Sequence, residues 1–178
     1  MNEHDALALL KRSGCSPEVI RHCKTVAEYA KKIALDIRKR SEEKGNPINI
    51  DIEAVFLGGM LHDIGRSKTH GIGHAVAGAE IAVRNGLNEK LVNIIERHIG
   101  AGIPRDEAAG LGLPEKDYMP VSIEEKIVAH ADNLVSGNKI GTMDELILSL
   151  RKKGLDEKVI QRFIKLNDEI CSMQDFYS

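Results

Sequence analysis

Met60-Leu61-His62-Asp63-Ile64-Gly65-Arg66 closes an apolar run, Ala54-Val55-Phe56-Leu57-Gly58-Gly59-Met60-Leu61, and sets an imidazole beside a carboxylate at the edge of a core. An unpaired charge there is costly, so something must compensate the pair. Two readings stand at this point. A divalent metal takes neutral imidazole nitrogen and ionised carboxylate oxygen together; alternatively, the His and Asp of a helix end cap backbone groups. Gly58-Gly59 is unusual inside a helix, where each glycine costs about 1 kcal/mol relative to alanine, and it predicts close packing against another helix. Gly65 is expected to end the helix, and Asn49 or Asp51 to cap its start.

Upstream of this stretch, a short helix through Ala6 to Lys11 stops near Gly14, and Ser16-Pro17-Glu18 supplies an N-cap, a first-turn proline and a first-turn acid. In the long helix that follows, the stripe Val19, Val26, Ala30, Ile33 and Ile37 carries His22 inward. Downstream, a helix from about Ile72 to Arg84 places His74 on one face with Ala77, Gly78, Ile81 and Ala82. The next helix, capped by Asn88, runs Leu91, Ile94, Ile95 and then His98 at the i, i+3, i+4, i+7 spacing. Gly100 to Val121 is Gly- and Pro-rich and longer than ordinary helix connections, which predicts a lid-like loop. Ser122-Ile123-Glu124-Glu125 reads as a capping box opening a helix with Val128, Ala131, Asp132 and Val135 inward, and Thr142-Met143-Asp144-Glu145 as a second box. Val159, Ile160, Phe163, Ile164 and Ile170 mark a last helix. No stretch shows period-2 alternation, so the expected fold is all-α.

Lys plus Arg number 25 against 27 Asp plus Glu, a formal charge of -2, which leaves no electrostatic footprint of a general nucleic-acid binder. Any anionic substrate must be held locally. Cys15, Cys23 and Cys171 form no Cys-x-x-Cys pair, which argues against a disulfide framework and a thiolate zinc site and suits a reducing compartment. There is no basic N-terminal segment followed by an apolar stretch, and no run approaches ~18 apolar residues. The expectation is a soluble, cytoplasmic protein with no membrane partner.

His22, His62, Asp63, His74, His98 and Asp132 all fall on apolar stripes or helix ends that should face one interior. His4 lies near the terminus, His70 sits in the loop after Arg66 from which it could approach, and His130 lies on a different face from Asp132. The order His22, His62-Asp63-Ile64-Gly65, Asp132 resembles the HD-domain superfamily of metal-dependent phosphohydrolases, and the sub-pattern is similar to its HDIG branch. The resemblance covers roughly Pro17 to Leu134. It implies a compact helical bundle in one domain over 1–178, with a metal-binding core at about 16–140 and a C-terminal helical extension at about 142–178. It also implies that His22, His62, Asp63 and Asp132 bind a divalent metal. His74 and His98 resemble the extra ligands of binuclear members, in which Asp63 bridges the ions, so one or two ions are implied (Fe, Mn, Zn, Co or Ni).

The sequence departs from the family in particular places. Arg66 stands where the HDIG branch commonly has Lys, keeping the charge and adding a planar fork suited to phosphate oxygens. Arg97-His98 stands where many binuclear members have His-His. The nucleotidase branch carries a glutamate where this chain has Arg66, and Ile99-Gly100-Ala101-Gly102-Ile103-Pro104 keeps only an echo of the HD-GYP signature. The implied activity is hydrolysis of a small nucleotide-like phosphate ester, monoester or cyclic diester, through a metal-activated water. Asp63 and Arg66 are the expected catalytic residues; Arg66, Lys68, Arg105 and Lys139 are the candidates for binding phosphate. A di-iron oxygenase with the same six-ligand pattern, or a catalytically weak metal-binding regulatory module, are the other classes the resemblance admits.

Overall fold

In the computed structural model, which describes residues 1–175, Ser16 accepts a hydrogen bond from the Val19 amide at 3.3 Å and starts the long helix α2, Pro17–Glu43. Before it, Asn2 and Asp5 form a capping box on α1, Glu3–Ser13, which Gly14 ends with φ of 90°. Asp51, rather than Asn49, caps α3, Ile52–Leu61, through the Ala54 amide at 3.0 Å. α4 spans His74–Arg84, α5 Glu89–Glu96, and α7 Ile123–Leu134, with the short α6, Arg105–Ala108, between the last two. The C-terminal helices are α8, Met143–Lys152, and α9, Glu157–Asp175. Positions 176–178 of the expected C-terminal extension lie outside the described residues.

Glycine pairs set how these helices meet. A Cβ at Gly59 would lie 2.7 Å from the Ala27 Cα, and one at Gly58 would lie 2.6 Å from Ile94 Cγ2. α3 therefore contacts α2 on one side and α5 on the other at distances that no side chain allows, which is why two glycines interrupt an otherwise apolar helix. Around this crossing Val26, Ala30, Ile37, Leu61, Ile64, Ile94 and Ile127 form a continuous core that extends to Ile160 and Ile170 of α9. Each fully buried Ile or Leu of this kind contributes about 1.5–3 kcal/mol.

The structure bears out the all-α class and changes several local readings. Helix α3 ends at Leu61, not at Gly65; a 3-10 turn, Ile64–Ser67, follows it. Gly65 serves a different purpose, because a Cβ there would collide with the backbone carbonyl oxygen of His74. Gly78 answers from the other side, its added Cβ lying 2.8 Å from Ile95 Cγ2 and 3.3 Å from the Gly65 amide nitrogen. α4 begins at His74 rather than near Ile72. Val135 is not on the helix of Asp132: it pairs with Ile140 in a two-stranded antiparallel hairpin, β1 Val135–Ser136 and β2 Lys139–Ile140. Strands of two residues are too short to display alternation.

Ser122 accepts from the Glu125 amide at 3.2 Å, but the capping box is half-formed. The Glu125 carboxylate turns instead to the Val121 amide at 2.8 Å and to Arg97 at 3.1 Å, a buried ion pair being the stronger claim on it. The stretch expected to be a long loop carries α6, a 3-10 turn at Ala109–Leu111, and a small core of its own in which Ile103, Ala108, Leu113 and Tyr118 are buried. Thr142 and Glu145 complete the second box as expected.

Candidate metal centre

The packing just described delivers the six expected residues to one place. His22 comes from α2, His62 and Asp63 from the end of α3, His74 from the first turn of α4, His98 from just past α5, and Asp132 from α7. Each imidazole is held by its Nδ1 on a backbone carbonyl: His62 on Gly59 at 2.8 Å, His98 on Ile95 at 2.7 Å, His74 on Gly71 at 2.8 Å and His22 on Gly137 at 3.0 Å. A carbonyl can only accept, so Nδ1 carries the proton in all of them. For His62 and His98 the accepting carbonyl is in the last turn of a helix, where it lacks a helical partner. The same contact therefore caps the helix and aims the ring.

With Nδ1 committed, Nε2 of each ring points at two carboxylates. Asp132 Oδ1 lies 2.9 Å from His22 Nε2 and 3.3 Å from His62 Nε2. Asp63 divides its oxygens: Oδ2 lies 3.8 Å from His22 and 3.7 Å from His62, while Oδ1 lies 3.1 Å from His74 and 3.6 Å from His98. His74 and His98 bring their Nε2 atoms within 3.0 Å of one another. With both Nδ1–H groups given to carbonyls, the two Nε2 atoms converge with Asp63 Oδ1 on one space, an arrangement that a cation would fill. The fit to a metal also shows in what is left unpaired, since His62 Nε2 and Asp63 Oδ1 are buried with no hydrogen-bond partner. The ligand atoms of His22, His62 and Asp132, and those of His62, Asp63 and His98, each lie within 4.8 Å of one another. Nitrogen and oxygen donors of this type suit divalent transition ions.

Electrostatics draw positive charge to the same spot. Burial alone would raise the Asp63 and Asp132 pKa values, but the His62 charge and the imidazoles packed against them, His74 and His98 at Asp63 and His22 at Asp132, hold both carboxyls far below the usual range. Burial pulls the His62 pKa down, and the two carboxylates overcome it and lift it to about 9. His98 is pushed down, chiefly by burial. A cation held by these groups replaces the proton on His62, so binding releases it to solvent.

Arg66 donates from Nε to Asp63 Oδ2 at 2.5 Å, and its NH1 reaches the His70 carbonyl at 3.5 Å. Its side chain is 31% exposed, against 17% for His22, 21% for Asp132 and 0% for His62. The cluster thus has a buried floor of His62, Asp63, His74 and His98 and a mouth formed by His22, Asp132 and Arg66. Glu80, the acid of α4 in this region, pairs with Arg84 at 2.9 Å and not with Arg66. Arg105 is exposed and lies 3.6 Å from Glu115, and Lys68 and Lys139 are exposed with no ion pair among the described residues. His70 contributes a backbone carbonyl rather than its ring, and His130 is buried apart from the carboxylates, its pKa lowered by burial to about 4. Arg97 packs its guanidinium on Glu125 and stays out of the cluster.

Gly137, whose carbonyl orients His22, escaped the sequence reading, although a signal was there. Gly137-Asn138 between two short β-capable pairs is a two-residue hairpin turn, and φ of 63° at Gly137 fits it. The geometry carries a prediction on nuclearity. If Asp63 is shared by two ions, His74→Ala or His98→Ala should each lower the metal-to-protein ratio from about two to about one and leave His22, His62 and Asp132 loaded. Elemental analysis reads it, and a ratio unchanged in both variants would leave the two rings as core filler.

Comparison with known proteins adds the following. The HD-domain family model matches residues 19–137. An uncharacterized protein of Methanocaldococcus jannaschii is 52% identical over 174 residues, covering 97% of this chain and 99% of that protein. A tRNA (cytidine(56)-2'-O)-methyltransferase of Thermoplasma volcanium is 44% identical over 166 residues, 93% of this chain but 46% of the methyltransferase, so the chain spans about half of that relative. Among solved structures, the HD domain of the L. monocytogenes phosphodiesterase PgpH in complex with cyclic-di-AMP superposes with a TM-score of 0.52, over 98% of this chain and 97% of that one. At 17% identity that likeness is one of fold.

Proposed function

The chain belongs to the HD-domain family, and on that premise we propose that it is a metal-dependent phosphohydrolase of the HDIG type, acting on a small nucleotide-like phosphate ester. The observation that carries this reading is the set of imidazoles with Nδ1 locked on carbonyls and Nε2 converging on Asp63 and Asp132. A divalent metal held there supplies Lewis acidity and an activated water. The nucleotide-like substrate agrees with the cyclic-di-AMP bound by the PgpH domain. We also infer that residues 1–178 act as one domain, the metal-binding core at about 16–140 being closed by α8 and α9, since Ile160 and Ile170 belong to the same core as Ile33 and Ile127.

His22, His62 and Asp132 would hold one ion and His74 and His98 a second, with one Asp63 oxygen on the side of each set. Asp63 and Asp132 stay ionised and balance the cationic charge, while the buried floor excludes bulk water and strengthens every charge interaction made there. At the mouth, the Arg66 guanidinium keeps its two terminal amino groups beyond the Nε–H given to Asp63, and these would meet the equatorial phosphate oxygens on which charge accumulates during in-line displacement.

Two measurements test the reading. Chelation should abolish hydrolysis of a generic phosphodiester or phosphomonoester, and restoring the metal should return it. Arg66→Ala should keep its metal and hydrolyse more slowly by on the order of 10²-fold, as for loss of a preorganised donor. Arg66→Lys should recover part of that, because charge remains and the fork does not. Wild-type turnover with an unchanged KM in Arg66→Ala would make the arginine scaffold alone.

A further inference from the structure

Immediately after His98 the chain passes into the wall of a cleft of about 580 Å³, within the range of roughly 300–1,000 Å³ usual for small-molecule sites. Ile99 and Gly100 line it on one side, and Ile72, two residues before His74, lines it too. Gly100 is tied back to the metal centre, since its carbonyl accepts from Asn133 Nδ2 at 2.9 Å and Asn133 adjoins Asp132. Cleft and metal cluster therefore share a wall. The far side comes from α9 and the loop before it, through Leu155, Val159 and Phe163, and from Leu111 in the Gly100–Val121 stretch.

The lining is apolar with a polar edge. Gly100 and Gly102 adopt φ of 58° and 94°, and a Cβ at Gly100 would lie 2.8 Å from Phe163 Cζ, so the aromatic ring packs directly on bare backbone. On the same wall Arg162 grips Glu107 with NH1 and NH2 at 2.8 and 2.6 Å, while its Nε is buried with no hydrogen-bond partner. Asp106 lines the cleft as well and makes no hydrogen bond or ion pair among the described residues. An alkyl chain in this space would lie against the Arg162–Glu107 ion pair and the Asp106 carboxylate, at a cost in desolvation. A planar heterocycle suits both features, offering an apolar face to the Ile99, Val159 and Phe163 side chains and donors and acceptors along its edge.

We propose that this cleft holds the nucleobase of a nucleotide whose phosphate lies at the metal centre; the proposal rests on the phosphohydrolase reading above. Stacking of a base on such a surface is worth on the order of tenfold in affinity or more. The test is calorimetric titration of the metal-loaded chain with the methylene phosphonate analogues of AMP, CMP and ribose 5-phosphate, which have no ester to cleave. At least one nucleotide analogue should bind about tenfold or more tightly than the ribose analogue. Leu111→Asp and Val159→Asp should each remove that advantage and leave ribose-analogue affinity as it was. Leu111 is 46% exposed, so its substitution tests the cleft without threatening the fold.

Equal binding of all three analogues by the wild type overturns the proposal, and so does a base preference that survives both substitutions. Loss of generic ester hydrolysis on chelation is read separately. A phosphohydrolase without a base pocket therefore gives a different result from a base-binding chain that does not hydrolyse.

Discussion

Asp63→Asn should cost the protein most of its metal and lower phosphoester hydrolysis by on the order of 10³-fold or more. The substitution is isosteric and lands on a side chain that is 4% exposed, so it changes charge and lone pairs with little change in packing. Asp63 faces both ligand groups, with Oδ1 3.1 Å from His74 Nε2 and Oδ2 3.7 Å from His62 Nε2. An amide keeps an oxygen for one group and turns an N–H donor toward the other, and a donor repels a metal. The remaining carboxylate, Asp132, would then balance the charge alone. Elemental analysis and steady-state rates on the same preparation decide it: a variant that holds two ions per chain and turns over like the wild type would show that Asp63 serves Arg66 and the fold rather than the metals.

The direction of each candidate ligand was legible in the sequence, and its neighbours were not. Helical spacing says which way His22 or His98 leaves its own axis, because the period of 3.6 residues is a property of one helix. It says nothing of which helix lies opposite. The backbone carbonyls that orient the rings depend on tertiary placement: Gly137, 115 residues from His22 in the chain, is close to it only because β1 follows α7 into the site. The half-formed box at Ser122 has the same origin, since Glu125 was drawn to Arg97 at the end of α5. A local motif loses to a buried ion pair that local reading cannot see.

Arg66 shows both sides of this. Its place after Gly65 predicted a cation beside the ligands, and its guanidinium is found on Asp63. The exposed partners of Arg105 and the free exposure of Lys68 and Lys139 could not be read from residue type, because a lysine in a solvated loop and one over a substrate look alike in sequence.

Gly65→Ala should destabilise the chain by about 3 kcal/mol, the upper part of the usual range for an overpacked site, and lower Tm by roughly 6–12 °C for a chain of this size. The added methyl would meet the His74 carbonyl oxygen and the Gly78 amide nitrogen, both backbone atoms of α4, and neither can move without the helix. α4 must then retreat from the 3-10 turn at Ile64–Ser67 that follows the His62-Asp63 pair. His74 rides on the first turn of that helix, so the same shift that costs stability should also pull its Nε2 away from Asp63 and lower the metal content. Gly73→Ala is the matched control. It lies next to His74, has φ of −70°, and its added Cβ meets nothing within 4 Å, so its effect should stay within about 0.5 kcal/mol or favour the folded state slightly. Thermal melts and metal content measured on both variants separate a general intolerance of the loop from contact at Gly65. Should Gly65→Ala melt with the wild type and keep its metal, the α4 contact has slack, and the position of His74 must be set by the bond from its Nδ1 to the Gly71 carbonyl instead.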